Sequence, residues 1–285
     1  MSLWEVKATL PVELVDDVDM MFLEREDERW SVMHDVLIPA AWVVGLFSDE
    51  AEARAQWGEI APLVPRAGEA AFQEMSDEDW KESYKLHFQA WSCGRLHWVP
   101  VWERESHRMK AGDVAIWLDP GMAFGTGNHE TTRLCCERLV AWAETAPHDA
   151  KIVDAGCGSG ILAISAARLG FTNVQGFDND PEAVRIADEN AALNDLEKSL
   201  KFYEGDLETG FGDGPYDLVL ANILGHILAD FVPQLTAAVK PGGLLVLSGI
   251  LAVEVRTIQA AFTRVVPDWA VEAREMGEWC DIALT

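Results

Sequence analysis

Three glycines occupy alternate positions in a short segment where an apolar strand pattern gives way to a helical one. The segment is VDAGCGSG, residues 153–160, and the glycines are Gly156, Gly158 and Gly160. Glycine lets the backbone turn sharply and lets a ligand approach the main chain closely. Because the loop opens a helix whose first N–H groups lack partners, it favours a ligand with an anionic group. The spacing therefore predicts a small-molecule binding loop rather than a plain turn.

An acidic residue follows at the end of the next predicted strand. Asp178 lies 22 residues after Gly156, and a carboxylate at this place can accept hydrogen bonds from both hydroxyls of a ribose. Two ligand classes fit, a dinucleotide and S-adenosylmethionine. The GxGxG spacing differs from the GxGxxG of dinucleotide-binding loops and leaves less room for a pyrophosphate. We therefore favour S-adenosylmethionine, with an NAD-dependent oxidoreductase as the weaker alternative.

Two further segments bring polar side chains toward the same ligand. Asn222 ends the strand pattern LVLAN, and in open α/β sheets ligands lie beyond the carboxyl ends of the strands. Its amide both donates and accepts hydrogen bonds, which suits it to orient an amine. The second segment, LDPGMAFGTGNHETT at residues 118–132, is glycine-rich and predicted to fold over the ligand, with Thr131 and Thr132 bonding a carboxylate or capping the next helix. We interpret His129 as structural, and we assign no metal site.

From residue 150 onward, the elements that position these residues alternate between strand and helix. The predicted strands are 151–155, 174–178, 201–204, 218–221 and 244–247, and the predicted helices are 161–169, 181–194 and 227–239. This alternation is typical of a parallel, doubly wound sheet of the Rossmann-like class. Residues 269–274 and 278–284 predict a closing pair of strands.

The first 64 residues predict a separate, small α+β domain. Strands are expected at 4–10, 29–38 and 41–47, and helices at 12–23 and 49–57, the second capped by Ser48. This β-α-β-β-α order accounts for most of a ferredoxin-like sandwich. Prolines and a glycine in residues 61–68 predict a linker, which we extend over residues 65–90 with a short helix at Ser76–Lys85. Residues 91–285 then form the second domain.

The charge of the chain limits its partners. It carries 48 acidic and 22 basic residues, a net charge of −26, which repels phosphate backbones and makes a basic protein a better expected partner than nucleic acid. Residues 1–64 alone hold 14 acidic and 4 basic residues. The longest uncharged apolar runs, 36–47 and 241–253, are shorter than the roughly 18 residues that span a bilayer. We expect a cytoplasmic monomer without a membrane partner, its 5 cysteines reduced.

Five segments of the chain together resemble one protein family. LDPGMAFGTGNHETT, DAGCGSGILAI, GFDNDPEAV, LVLANIL and GGLLVLSGIL are similar to segments of PrmA, a bacterial family of methyltransferases that act on a protein of the large ribosomal subunit. The resemblance extends over residues 77–284. Residues 1–64 match the family in length and strand order but only loosely in sequence, and Asn128-His129-Glu130 stands where many members have Thr-His-Pro.

This resemblance implies a fold, a function and site residues. The fold is a class I methyltransferase sheet that uses S-adenosylmethionine, with cofactor contacts at Thr132, Gly156, Asp178 and Asn222, to which the glycine loop adds Gly158. The N-terminal domain would hold a basic ribosomal protein whose lysine side chains and terminal amine receive methyl groups. No catalytic base is assigned, and Asn222 is the candidate that orients the amine. Two alternatives stay open: the same catalytic domain acting on another protein, and a catalytically silent binding module.

Overall fold

A four-stranded antiparallel sheet forms the first of two units, Met1–His87 and Phe88–Thr285, into which the computed structural model divides. The structure describes residues 3–25, 29–35, 40–75, 90–118 and 129–285. The sheet has the order β2-β3-β1-β4. Its elements along the chain are β1 (Leu3–Leu10), α1 (Val15–Arg25), β2 (Trp30–Asp35), β3 (Ala40–Phe47), α2 (Glu50–Ile60) and β4 (Ala71–Met75). This is the βαββαβ order of a ferredoxin-like sandwich, in agreement with the predicted class.

The alternating pattern of β1 explains how this unit makes its core. Val6, Ala8 and Leu10 occupy every second position and are all buried, so one face of the strand points inward. Trp30 on β2 packs against the same core, stacked on Phe22 with ring centroids 6.0 Å apart. The unit therefore has an apolar centre of its own, as expected of a separate domain.

The predicted linker contains a strand. Residues 71–75 form β4, which pairs antiparallel with β1 from Leu3↔Met75 to Lys7↔Ala71. The preceding residues are tied to this unit as well, since Val64 is buried and the Gly68 N–H donates to the Thr9 carbonyl at 2.8 Å. The prediction that a linker begins at residue 65 is therefore wrong, because β4 is the last strand of the sandwich. The predicted helix at Ser76–Lys85 lies outside the described residues.

Helix α2 begins one residue later than predicted. Asp49, not Ser48, is the N-cap, and its carboxylate accepts the Glu52 N–H at 2.9 Å. The Ser48 hydroxyl instead donates to the Glu52 carboxylate at 2.7 Å. The Asp49 side chain thus accepts from the Glu52 backbone, and the Glu52 side chain reaches back to Ser48. This reciprocal arrangement resembles a capping box and stabilises the first turn of α2.

The second unit contains a small sheet and a large one. The small sheet has the order β5-β6-β7, made of β5 (Trp91–Cys93), β6 (Leu96–Pro100) and β7 (Val114–Leu118). The large sheet has seven strands in the order β10-β9-β8-β11-β12-β14-β13. These strands are β8 (Lys151–Ala155), β9 (Asn173–Asp178), β10 (Leu200–Glu204), β11 (Tyr216–Asn222), β12 (Val239–Leu251), β13 (Val271–Met276) and β14 (Trp279–Leu284).

Strands β8 to β12 run parallel, and β14 closes the sheet antiparallel to β12. The helices of this unit are α3 (Glu130–Ala143), α4 (Ile161–Leu169), α5 (Pro181–Leu193), α6 (Gly225–Asp230), α7 (Val232–Ala237) and α8 (Val255–Val265). The predicted doubly wound sheet and its closing hairpin, β13–β14, are confirmed.

The apolar run of β11 shows that both faces of this sheet are covered. Leu218 and Leu220 belong to one core cluster, whereas Val219 and Ala221 belong to the other. All four side chains are fully buried. A strand buried on both faces needs apolar residues at every position, which is why LVLA is continuous rather than alternating.

Two elements differ from their predictions. The expected helix at 227–239 is two short helices, α6 and α7, because the backbone leaves the helical region at Phe231 and Pro233 lacks the N–H that a continuous helix would need. The expected strand at 244–247 is longer, since β12 runs from Val239 through Pro241-Gly242-Gly243 to Leu251. Within the described part of the chain, no helix is long and apolar enough to cross a membrane.

Candidate active site

The glycine loop connects β8 to α4 in a conformation that requires glycine. The φ angles are 70° at Gly156, 51° at Gly158 and 76° at Gly160, values that are strained for other residues. The N–H groups of Gly156 and Cys157 both donate to the Phe177 carbonyl at 2.9 Å, which ties the loop to the neighbouring strand β9. The loop therefore lies at the carboxyl ends of β8 and β9.

Close contacts also exclude larger side chains from this loop. A Cβ atom at Gly156 would lie 2.5 Å from the Ile223 Cγ2 atom, and one at Gly160 would lie 2.8 Å from the Phe202 ring. Ile223 follows β11, so the loop is packed against the end of that strand as well. Residues from three neighbouring parallel strands thus meet at one edge of the sheet.

The Asp178 carboxylate is held by two backbone donors. Its two carboxylate oxygens accept the N–H groups of Gly158 at 2.9 Å and of Asp180 at 3.0 Å. A carboxylate offers about four acceptor positions, so two backbone donors leave room for two hydroxyl groups. The structure brings the predicted residues Gly158 and Asp178 into direct contact. The hydrogen bond between them holds both the carboxylate and the glycine loop in place.

Thr132 on α3 contacts Asn222 at the carboxyl end of β11. The Asn222 side-chain N–H donates to the Thr132 hydroxyl at 3.3 Å, and Thr132 is buried. The contact engages the N–H end of the Asn222 amide. Thr132 therefore acts on Asn222 directly.

His129 has the structural role that the sequence suggested, but the threonines do not cap the helix. The His129 ring is the N-cap of α3 and accepts the Thr131 N–H, so the predicted cap by Thr131 or Thr132 is wrong. The ring also meets Trp279 edge-on, with centroids 4.9 Å apart. The adjoining glycine-rich residues 119–128 lie outside the described residues.

Asp154 is a site residue that the sequence reasoning did not single out. It is buried in β8, and its carboxylate accepts the Ala163 N–H in the first turn of α4 at 3.1 Å. Burial, with a contribution from the charge of Asp178, raises the pKa of Asp154 to about 8. A cationic group bound nearby would favour its ionised form. The available signal was an acidic residue inside an otherwise apolar strand.

Two asparagines were also missed, Asn190 near the end of α5 and Asn194 at its C-cap. The Asn190 side chain donates to the Ser159 carbonyl at 2.9 Å. The fully buried Asn194 exchanges two hydrogen bonds of 2.8 Å with the backbone of Trp117 on β7. Such side chains replace backbone partners in places where no regular element pairs. They connect the loop to the strand that leads into residues 119–128.

A buried ion-pair network anchors α3 to the closing hairpin. The fully buried Asp281 carboxylate accepts from Arg138 at 2.9 and 3.0 Å and from the Arg274 Nε atom at 3.0 Å. Arg274 also donates to the Leu134 carbonyl at 2.8 Å. Because α3 carries Thr132, this network fixes the position of the Asn222 partner. Charges buried in this way are stable only when their hydrogen bonds are satisfied, as these are.

Burial keeps the thiol of the glycine loop in its neutral form. Cys157 is buried, and burial with the nearby Asp154 and Asp178 carboxylates raises its pKa far above the usual range. Among the described residues, no group of three or more His, Cys, Asp or Glu side chains is arranged to hold a metal ion.

These features define a class of enzyme. A seven-stranded sheet of this order, with a GxGxG turn after its first strand and a carboxylate after its second, is that of a class I S-adenosylmethionine-dependent methyltransferase. The residues fit this cofactor, because the tight glycine cradle excludes side chains and the Asp178 carboxylate retains free acceptor positions. The GxGxG spacing, which differs from the GxGxxG of dinucleotide-binding loops, argues against the alternative of an NAD-dependent oxidoreductase.

Comparison with known proteins identifies the family. The model of the family described as ribosomal protein L11 methyltransferase (PrmA) matches residues 12–285. The chain belongs to this family and is a methyltransferase.

Individual relatives agree with this assignment. The chain is 39% identical over 249 residues to the ribosomal protein L11 methyltransferase of Pelobacter propionicus, covering 83% of this chain and 79% of the relative. It is 47% identical over 182 residues to that of Trichlorobacter lovleyi, covering 62% and 58%. The crystal structure of ribosomal protein L11 methylase from Lactobacillus delbrueckii subsp. bulgaricus is similar at a TM-score of 0.61 and 32% identity, covering 70% of this chain and 98% of that chain.

Proposed function

We propose that this enzyme transfers methyl groups from S-adenosylmethionine to lysine side chains and the N-terminal amine of ribosomal protein L11. The observation that carries the proposal is the joining of Asp178, the glycine loop and Asn222 at one sheet edge, in a chain that the family model matches from residue 12 to residue 285. The match includes most of the N-terminal unit, which is the expected substrate-holding part.

The main chemical requirement is a neutral amine. When bound, the cofactor supplies an electrophilic methyl group on a sulfonium. A free lysine has a pKa near 10.4, so at pH 7 one amine in about 2,500 is neutral, and reaching that form costs about 4.6 kcal/mol. Partial desolvation at the sheet edge and a neighbouring positive charge both lower the amine pKa. We therefore assign no side chain as a strong general base.

In this proposal Asn222 orients the substrate amine toward the methyl group. The Thr132 hydroxyl holds its N–H group at 3.3 Å, which leaves its amide oxygen to accept a hydrogen bond from the incoming amine. An amine held in this way directs its lone pair along one line, and positioning of this kind accounts for a large part of the rate in bimolecular transfers. Thr132 is therefore a positioning residue in this proposal, and Asn222 is the group that touches the substrate.

The acidic surface suits a basic substrate protein. With 14 acidic and 4 basic residues in positions 1–64, the N-terminal unit attracts a basic partner at long range and increases the rate of encounter. Because the substrate belongs to the ribosome, the cytoplasm is the expected location. The predictions of a monomer and of no direct contact with nucleic acid stay predictions.

A direct assay tests the proposed substrate. Purified, unmethylated ribosomal protein L11 is incubated with the enzyme and S-adenosylmethionine, and its intact mass is followed by mass spectrometry. We expect the mass to rise in steps of one methyl group, and fragmentation to place the methyl groups on lysines and on the terminal amine. Unchanged mass with a bound cofactor would instead indicate another protein substrate or a silent binding module.

A further inference from the structure

The two most exposed large apolar side chains among the described residues lie at the edge of the sheet that carries the site. Leu224 is 55% exposed and Val253 is 87% exposed. Other exposed large apolar side chains in the described ranges, Leu3, Leu63, Met109 and Val265, are between 37% and 48% exposed. Single exposed apolar residues need no explanation, but two neighbouring ones beside a catalytic edge do.

The two side chains stand on adjacent loops. Leu224 follows Asn222 by two residues and is the N-cap of α6, and Val253 lies in the turn from β12 to α8. Asn222 and Ser248 are partners across β11 and β12, and the Ile223 N–H donates to the Ser248 carbonyl at 3.2 Å. A Cβ atom at Gly225 would lie 3.1 Å from the Glu254 carboxylate. Gly225 and Glu254, which follow Leu224 and Val253 in the chain, are therefore close neighbours.

Both loops are held by hydrogen bonds, so the exposure is built into the fold. The Leu228 N–H donates to the Leu224 carbonyl at 3.1 Å, and the Leu251 N–H donates to the Glu254 carboxylate at 3.1 Å. The Ala252 N–H donates to the Glu278 carbonyl at 2.8 Å. Apolar side chains on fixed loops lose little conformational freedom when a partner covers them, which favours binding.

We propose that Leu224 and Val253 form a docking rim, the apolar surface that receives the segment of the substrate protein on either side of the target amine. An amine that reaches Asn222 must enter beyond the carboxyl ends of the strands, so the chain that bears it must pass over the loops that follow β11 and β12. The docking rim is continuous with Asn222 through Ile223 and Leu224. This inference rests on the proposed function.

The chemistry of the docking rim indicates what it accepts. Leu224 and Val253 favour aliphatic residues, or the aliphatic stem of the lysine itself, beside the target nitrogen. The exposed Glu278, whose carbonyl anchors this loop, adds negative charge next to the rim. The preferred partner is therefore a basic segment with apolar residues flanking the methylated amine.

Serine substitutions test the docking rim without harming the fold. Serine is a favoured residue at a helix N-cap, the position of Leu224, and is common in turns such as that of Val253. Val265→Ser is the matched control, because Val265 is also an exposed valine but ends α8, about 15 Å along the helix axis from its start. The substrate is the mixture of ribosomal proteins from cells that lack this methyltransferase, with radiolabelled methyl groups on S-adenosylmethionine.

We expect the Leu224→Ser/Val253→Ser enzyme to need about tenfold more substrate protein for half-maximal labelling, with unchanged cofactor affinity and unchanged rate at saturation. Val265→Ser should behave as wild type. An unchanged requirement in the double variant would overturn the docking rim while leaving the proposed function intact. If the wild type labels a protein other than L11, the proposed substrate fails and the rim is judged on that protein; labelling of no protein would overturn both proposals.

Discussion

Asp178→Ala is the substitution that most clearly separates cofactor binding from the rest of the site. The change removes the carboxylate that we assign to two ribose hydroxyls. Hydrogen bonds to a charged group contribute about 1.5–3 kcal/mol each. Two such bonds amount to about 3 kcal/mol at the lower end, or about a hundredfold in the dissociation constant. We expect at least a tenfold loss of affinity for S-adenosylmethionine.

The structure supplies a matched control for this experiment. Asp178 also accepts the N–H groups of Gly158 and Asp180, so its loss loosens the loop as well as removing the proposed ribose contacts. Asp180→Ala removes a carboxylate two residues away that caps α5 by accepting the Glu182 N–H at 2.9 Å. That variant should lose about 1 kcal/mol of stability and keep its cofactor affinity.

Calorimetric titration with S-adenosylmethionine measures both variants against the wild type, and thermal unfolding checks that each is folded. Asp178→Asn refines the comparison, because it keeps the size of the side chain and one acceptor oxygen while removing the charge. We expect it to bind with intermediate affinity. Equal affinities for Asp178→Ala and Asp180→Ala would refute the assignment of the ribose acceptor.

Three further predictions concern other parts of the site. Asn222→Ala should lower turnover more than cofactor affinity, and a collapse of affinity with normal turnover at saturation would make Asn222 a cofactor contact only. Because burial raises the pKa of Asp154 from its ordinary 3.8 to about 8, the folded state holds a proton across that window that the unfolded chain has lost. Unfolding titrations should therefore show wild-type stability falling with rising pH, by up to about 1.4 kcal/mol per pH unit relative to Asp154→Asn, and parallel pH curves would contradict the burial argument. Deleting residues 1–87 should leave cofactor affinity nearly unchanged and sharply reduce methylation of the folded substrate. Added salt should weaken methylation by the full-length enzyme. If the truncated enzyme methylates the substrate as fast as the full chain at low salt, the N-terminal unit has no docking role.

Local signals in the sequence were enough to predict much of the second unit. The helix at 161–169 and the strand at 151–155 have the bounds that were expected, because glycine at both ends of the helix and a run of apolar residues mark them clearly. The GxGxG loop, Asp178 and Asn222 were predicted from their places at strand ends. Parallel strands bring their carboxyl ends to one edge, so the meeting of these residues follows from the fold class.

What the sequence did not reveal depends on contacts between distant residues. The segment AFQEM of β4 has no apolar alternation, so the sequence predicts a linker there. The pairing of β4 with β1 is what makes it a strand. The hydrogen bond from Asn222 to Thr132 joins residues 90 positions apart that no local pattern relates. The role of Asp154 follows from its complete burial and from its bond to the Ala163 N–H, which the sequence indicates only as an acidic residue inside an apolar strand.

Mass spectrometry of ribosomal proteins from cells that lack this gene tests the central claim most directly. The account predicts that ribosomal protein L11 from such cells loses the mass of its methyl groups, that the wild-type chain restores them, and that Asn222→Ala restores far less. Ribosomal protein L11 of unchanged mass in the deletion strain would contradict the proposed substrate.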